Sequence, residues 1–415
     1  MTSAAAGDRR HTVSWCLYDY ANSAYAAVIA AVVFPPYYTS VIVGNEGGLG
    51  DLWWGRVISV SMLFVALSSP YLGGIADRGG IRKPLWIAYT WMAILGVASF
   101  SFLEPGMVLT GFALAAVANI GMEGSQVFYN SYLPEIAAPG RQGRLSGWGF
   151  ATGYAGSITA LLAALLFIEP LRPAAIWMAV VAQFGLFSLP AFLWLPRQSG
   201  PSLSLAAAAR AGLAASRTLL GRLWRQPGAR AFLLAYLLYE DGVNTVVGFA
   251  SPFAATTLGF SRTELIILFL VVQISALAGA WVMARPTDTR GPKFVVALSL
   301  LLWCAVVTAA YFVQSKNQFW AVAVVAGLGL GSVQAASRAL FARFIPPGEE
   351  NQYFGVYALV GKSSAILGPL LFGEMSRAFG GNQRPAILSV AILFLGGLTI
   401  LSTVRLEDHT RSASC

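Results

Sequence analysis

Runs of about 20 apolar residues recur along nearly the whole chain, and that pattern decides what it can fold into. Twelve such segments are read, at about 12–38, 54–76, 83–103, 106–132, 146–168, 173–195, 230–256, 264–284, 292–314, 317–343, 352–375 and 385–404. Gly, Pro or charged residues punctuate almost every boundary. A helix needs about 20 apolar residues to cross a hydrocarbon core of about 30 Å. Strands of a membrane barrel would be about half that length and would alternate in polarity, which these runs do not. Composition agrees, since 57% of the 415 residues are hydrophobic and 11% charged, where a soluble domain carries about 25% charged residues. The sequence therefore predicts an all-α integral membrane protein with twelve transmembrane helices. No cleavable signal peptide is expected, because the first run is too long for one and carries Asp19.

The net charge of +9 is not a nucleic-acid signal, because the basic residues sit in short loops between apolar runs. Most Lys and Arg fall in the loops on the side of the N-terminus. The opposite side holds only Arg56, Arg172, Arg262, Lys316, Arg377 and Arg384. This asymmetry predicts both termini in the cytoplasm and a multi-pass protein of the plasma membrane. Cys16 and Cys304 lie inside apolar runs and Cys415 at the end, with no disulfide or metal spacing. His11 and His409 are both near the termini. No catalytic residue, metal set or cofactor is expected, which argues against a membrane enzyme. A monomer is the expected state.

Residues 197–228 differ from the other loops. Leu213, Leu219, Leu220, Leu223 and Trp224 alternate there with Arg217, Arg222 and Arg225. The spacing predicts a basic amphipathic helix on the inner face of the lipid bilayer, with a solvated linker as the plainer alternative. Either way it divides the chain into six segments over 1–196 and six over 229–415. The halves repeat. At an offset of 208, Gln126, Pro139, Gly140, Gly147 and Gly153 match Gln334, Pro347, Gly348, Gly355 and Gly361. At 222, Asp19-x-x-Asn22 matches Asp241-x-x-Asn244. At about 211, Gly73-x-x-x-Asp77 with Lys83 matches Ala284-x-x-x-Asp288 with Lys293. Matches in the same order at equivalent places point to two homologous six-helix bundles, as transporters have.

Charges inside the segments are few: Asp19 (segment one), Glu123 (four), Glu240 and Asp241 (seven), Arg338 (ten) and Lys362 (eleven). Counted from the nearest inner loop, most lie nine to eleven residues deep, roughly 13–17 Å and near the bilayer middle. A buried charge there faces a partner or a wet cavity.

Two stretches carry a family resemblance. Gly73-Gly74-Ile75-Ala76-Asp77-Arg78-Gly79-Gly80-Ile81-Arg82-Lys83 resembles the loop motif of the major facilitator superfamily, with one extra residue between its acidic and basic ends. Trp15-Cys16-Leu17-Tyr18-Asp19-Tyr20-Ala21-Asn22-Ser23-Ala24-Tyr25 is similar to the opening signature of its vacuole-effluxer, autophagy-related branch. So are Phe128-Tyr129-Asn130-Ser131-Tyr132-Leu133-Pro134-Glu135 and Gly143-Arg144-Leu145-Ser146-Gly147-Trp148-Gly149-Phe150. The resemblance implies the major facilitator fold, alternating access and amino-acid efflux. It also implies that segments one, four, seven and ten line a central cavity, and no interior charge falls on three, six, nine or twelve.

The sequence thus points to a secondary transporter of a small polar or zwitterionic metabolite, with proton coupling favoured over uniport. Arg338 or Lys362 would receive a substrate carboxylate, and Asp19, Glu123 or Asp241 an ammonium group. Asp19, Glu123, Glu240 and Asp241 are the candidate proton carriers. Asn22, Asn130, Asn244, Gln126 and Gln334 would add neutral hydrogen bonds, and Tyr18, Tyr25, Tyr129 and Tyr239 walls with polar tips. Glu240 points about 100° from Asp241, so one of them faces a neighbouring helix. A plainer alternative is that Asp241–Lys362 and Glu123–Arg338 merely neutralise each other. In the loops, Asp77 is expected to accept from the N-terminus of an adjacent helix or to pair with Arg78 or Arg82 and, with Gly73, Lys83 and Asp288, to hold the inner ends of the two bundles together. A multidrug or lipid exporter would favour a singly charged aromatic cavity, and a channel or receptor a continuous polar path.

Overall fold

The computed structural model describes residues 8–136, 142–168, 173–197, 203–345 and 350–405. The expected matches at Pro139, Gly140, Pro347 and Gly348 lie outside them, as does the side chain of Asp77. Every regular element among the described residues is helical. The first, α1 (Arg9–Ala24), starts at Asp8, whose carboxylate accepts the Arg10 N–H at 2.9 Å. It continues as π-helical turns over Tyr25–Val32, bends by 42°, and resumes as α2 (Phe34–Tyr37) and further π turns over Tyr38–Val43. Pro35 and Pro36 cause the bend, since each lacks an N–H and its ring crowds the preceding turn. Next come α3 (Leu49–Gly79), α4 (Arg82–Ser99), α5 (Val108–Asn130), the short α6 (Leu133–Ile136), α7 (Gln142–Ile168) and α8 (Pro173–Trp194). Gly48 and Gly80 bracket α3 in the left-handed conformation that glycine adopts without strain. Then α9 (Leu205–Arg225) leads into α10 (Pro227–Leu258), α11 (Arg262–Thr289), α12 (Pro292–Phe312) and α13 (Lys316–Ala342). The last two segments are each in two pieces, α14 (Glu350–Ser363) with α15 (Leu367–Ala378), and α16 (Gln383–Ser389) with α17 (Ala391–Ser402).

Nine helices among the described residues are long and apolar enough to cross a bilayer, ten if the bent α1–α2 pair is one span. The other two predicted segments coincide with α7, whose apolar part is Thr152–Phe167, and with α10, which carries Glu240 and Asp241 midway. The protein is a multi-pass membrane protein.

Packing in the first half repeats in the second. Helix α1 lies on α7 and α8, α3 on α5, and α4 on α5 and α8. Correspondingly α10 lies on α14, α15 and α17, α11 on α13, and α12 on α13 and α17. The matched lysines make the same clasp in each half. Lys83 at the start of α4 donates to the Leu195 carbonyl just past α8. Lys293 at the start of α12 donates to the Ser402 and Val404 carbonyls at the end of α17, at 2.9 and 2.6 Å. Both satisfy carbonyls that a helix end leaves without partners. The linker helix α9 is present, but its apolar stripe is turned inward. It packs on α3, α10 and α14, burying Leu219 and Leu223, while Trp224 stays exposed beside the arginines. The Leu203 N–H donates to the Arg78 carbonyl at 2.8 Å, tying the linker to the end of α3. Protein, rather than bilayer alone, covers its apolar face.

Candidate functional site

Segment eleven is broken where the sequence reads Lys362-Ser363-Ser364-Ala365-Ile366-Leu367-Gly368-Pro369. Helix α14 stops at Ser363 and α15 starts at Leu367. Pro369 has no N–H to continue the ladder and fits the first turn of a new helix. The break exposes two helix poles inside the membrane, and each meets a complementary charge. Lys362 is in the last turn of α14, at its negative pole. Asp241, from α10, is buried, and its Oδ2 accepts the Gly368 N–H at 2.8 Å at the positive pole of α15. Its Oδ1 has no hydrogen-bond partner among the described residues. A Cβ at Gly368 would collide with Thr245 Oγ1 and lie 2.9 Å from both Oδ1 and the carbonyl oxygen of Asp241, so glycine is what lets α15 approach α10 here. Asn244, one turn on, donates to Ser364 Oγ at 3.3 Å, and Ser364 Oγ donates to the Gly361 carbonyl at 2.6 Å.

Lys362 itself reaches across the molecule. Its ammonium pairs with the Glu123 carboxylate on α5, joining the second half to the first. Both side chains keep about a quarter of their surface exposed, 27% and 23%. Tyr25 lies within electrostatic reach of Glu123. Lys362 thus pairs with Glu123, where the plainer alternative had paired it with Asp241. Lys362 leaves α14 ahead of the break whereas Asp241 binds the helix that begins after it, so the two charges serve opposite poles.

Asp19 sits in the seam between α1 and α7. A Cβ on Gly149 would collide with its carboxylate and with the Trp15 ring, and one on Gly153 would lie 2.9 Å from Ser23 Oγ. Asn22 donates to the Tyr18 carbonyl at 2.8 Å and to Asp19 at 3.5 Å. The two Asp-x-x-Asn motifs therefore face equivalent partners, segments five and eleven. Gln126 is half-buried and Asn130 exposed on α5, while Gln334 and Arg338 are exposed on α13. Glu240 and Arg338 both lie within electrostatic reach of Tyr357. The tyrosines expected as cavity walls are packed instead. Tyr18 bonds Thr90 and Ser125 at 2.8 and 3.0 Å, Tyr129 donates to the Trp15 carbonyl at 2.9 Å, and Tyr239 bonds Ser337 at 2.7 Å. Tyr25 too is buried. An aromatic hydroxyl deep among helices takes the nearest partner, so these rings became core.

In the motif loop, the described side chains bind within the first half. Arg82 pairs with Glu135 at 2.6 Å and lies 4.2 Å from the centre of the Tyr132 ring. With Lys83 on the Leu195 carbonyl, this fastens α4, α6 and α8 of the first half to one another. Arg78 and Asp288 are exposed, and Gly73 has open space around it.

Sequence reasoning missed the main contact between the halves, at the end away from the N-terminus. Asp51, wholly buried at the start of α3, accepts from Ser376 Oγ at 2.5 Å and from Gln383 Nε2 at 2.8 Å to both oxygens. Trp54 donates to the Gly248 carbonyl at 3.1 Å, Ser59 to that of Ile366 at 2.7 Å, and Arg56 pairs with Glu374 at 3.2 Å. The apolar pattern starts the second segment at 54 and puts Asp51 in the loop before it. Glycines at 48 and 55 with an acid between them were the available signal, since they let α3 and α15 touch at backbone distance.

A family model described as "Vacuole effluxer Atg22 like" matches residues 56–143 and 137–414. The chain is 28% identical over 414 residues to the MFS-type transporter YxiO of Bacillus subtilis (strain 168), covering 96% of this chain and 95% of that one. It is 24% identical over 451 residues to autophagy-related protein 22-1 of Penicillium rubens, with 86% and 75% covered. Among solved structures it is similar to the nucleoside transporter NupG, with a TM-score of 0.68 at 14% identity over 94% of this chain and 97% of that one. At that identity the likeness carries the fold.

Proposed function

Because this chain belongs to the vacuole effluxer Atg22-like family, whose relatives are MFS-type membrane transporters, we propose that it exports a small polar or zwitterionic metabolite, amino acids among them, by proton-coupled alternating access. The observation that carries this is the Lys362–Glu123 pair, an opposite-charge couple that bridges the two halves and stays about a quarter exposed. A substrate carrying both an ammonium and a carboxylate can exchange with it. The carboxylate would take Lys362, and the ammonium Glu123, with Asn130, Gln126 and Gln334 at the margins. A hydrophobic drug or lipid cannot replace either partner and would leave both charges uncompensated. The family's effluxer description supports the outward direction. The reading further places both termini in the cytoplasm, takes 1–196 and 229–415 as the moving units joined by 197–228, and sets the protein in the plasma membrane as a monomer.

The test is counterflow of radiolabelled amino acids, nucleosides, sugars and organic acids in proteoliposomes, with and without a pH gradient. Zwitterion flux that the gradient accelerates is the expected result. Flux of lipophilic cations only, or none across the panel, would overturn it.

A further inference from the structure

Asp51 is a buried carboxylate that the transport reading leaves unused. Its hydrogen bonds come from two amide groups held in one orientation and from one hydroxyl. Gln383 offers its Nε2 because its Oε1 accepts from Thr256 and Thr257, each at 2.7 Å. Asn45 offers its Nδ2 at 3.2 Å because its Oδ1 accepts the Asp51 N–H at 3.0 Å. Ser376 gives its hydroxyl. The cradle therefore fits the ionised acid: a proton on Oδ1 would confront amide N–H groups alone, and one on Oδ2 would require the Ser376 hydroxyl to reverse. Three of the side-chain hydrogen bonds to Asp51 come from Ser376 and Gln383, across the seam between the halves. The charged groups on the elements around it have other positions or partners. Arg56 and Glu374 pair with each other, Arg377 donates to the Gly47 carbonyl, Arg384 donates to the Tyr311 carbonyl, and Glu46 is exposed. From α10 only the hydroxyls of Thr256 and Thr257 enter the network.

We propose that Asp51 is a proton-binding site that latches this end of the transporter shut when ionised and releases it when protonated. The inference rests on the alternating-access reading and adds a proton site to those on the central helices. One proton is taken up from water at that end and returned when the seam closes again. Helix α15 carries the consequence inward. Ser376 near its far end holds Asp51, and its first turn holds Asp241. Release of one end frees the strut that the other end anchors.

The experiment replaces Cys16, Cys304 and Cys415 by serine and places spin labels at Arg56→Cys and Glu374→Cys, whose native side chains are 40% and 52% exposed on either side of the seam. Distance distributions are recorded in nanodiscs at neutral and acid pH. The unaltered latch should give a short distance at neutral pH and a growing long population in acid. Asp51→Asn, which presents an amide to the same donors, should show the long population at both. Gln383→Leu, which keeps the acid but removes two cross-seam bonds, should open at neutral pH as well. A short distance in Asp51→Asn, or an unchanged acid response in it, overturns the proposal. A seam that stays closed in the parent protein under every substrate and pH would count against alternating access instead.

Discussion

Asp241 offers a quantitative test of how the broken helix is held. Its carboxylate contributes a charge-assisted hydrogen bond to the Gly368 N–H, worth about 1.5–3 kcal/mol, and its charge adds up to about 2 kcal/mol at a partly buried helix pole. Asp241→Asn keeps an acceptor for Gly368 and loses the charge, so it should cost about 1–2 kcal/mol. Asp241→Ala removes both, leaves the N–H buried without a partner, and should cost about 3–5 kcal/mol. That range corresponds to a loss of at least a hundredfold in the folding equilibrium. The assay is reversible unfolding in mixed dodecylmaltoside–SDS micelles, followed by tryptophan fluorescence. Asp241 variants should also lose hydrogen-exchange protection first at residues 363–369. If Asn and Ala cost the same, or both fall within about 0.5 kcal/mol of the parent, Asp241 does not cap α15. A proton-carrying role shows differently. Asp241→Asn would then abolish gradient-driven flux while equilibrium exchange survived at any stability.

Lys362→Gln should weaken binding of a carboxylate-bearing substrate by about tenfold or more, the loss of one charged contact of about 1.4 kcal/mol or more, as read by thermal shift or isothermal titration. Exchanging the pair, Glu123→Lys with Lys362→Glu, restores the attraction but puts an anion at the negative pole of α14, so recovery should be partial, short by about 0.3–1 kcal/mol. Full recovery or none in a double-mutant cycle would contradict the assigned geometry. Gly55→Ala would drive a methyl into the Pro369 carbonyl, so cysteine cross-linking across the seam should fall severalfold while the protein still folds. Lys293→Met should leave the α17 carbonyls without their donor and expose the 402–405 backbone to faster hydrogen exchange, and Lys83→Met should do the same at 195.

Much of this was legible because it follows from solvent and repetition. Apolar runs show where a chain must be helical in lipid, since backbone groups there can be satisfied only internally. The offset matches located Lys83 and Lys293, which make one clasp twice, and Asp19 and Asp241, which face equivalent helices. Pairings were not legible. Four interior acids and two bases admit several pairings, and choosing between them needed the helix break, which a hydrophobicity pattern does not mark. Segment eleven reads as continuous apolar sequence, and only Gly368-Pro369 hints that it restarts. Asp51 was hidden for the opposite reason, since a carboxylate at a segment edge looks like a loop residue until its donors, 325 and 332 residues away, are known.

The symmetry also fails at an instructive place. In the first half, Asp19 faces α7, which runs unbroken from Gln142 to Ile168. In the second, the equivalent Asp241 faces a helix that has parted, and its second piece is held by a carboxylate near each end, Asp241 and Asp51. The acid of a continuous helix has no pole to bind, so Asp19 cannot act as Asp241 does even at the same depth. Asymmetry of this kind lets one half move in response to charge while the other serves as its frame. It yields a sharp contrast in variants. Asp19→Asn should leave the spin-label distance across the Arg56–Glu374 seam as in the parent, whereas Asp241→Asn, by loosening α15 at its start, should broaden it. Equal broadening by both would mean that the seam senses overall packing, and the asymmetric strut would have to be abandoned.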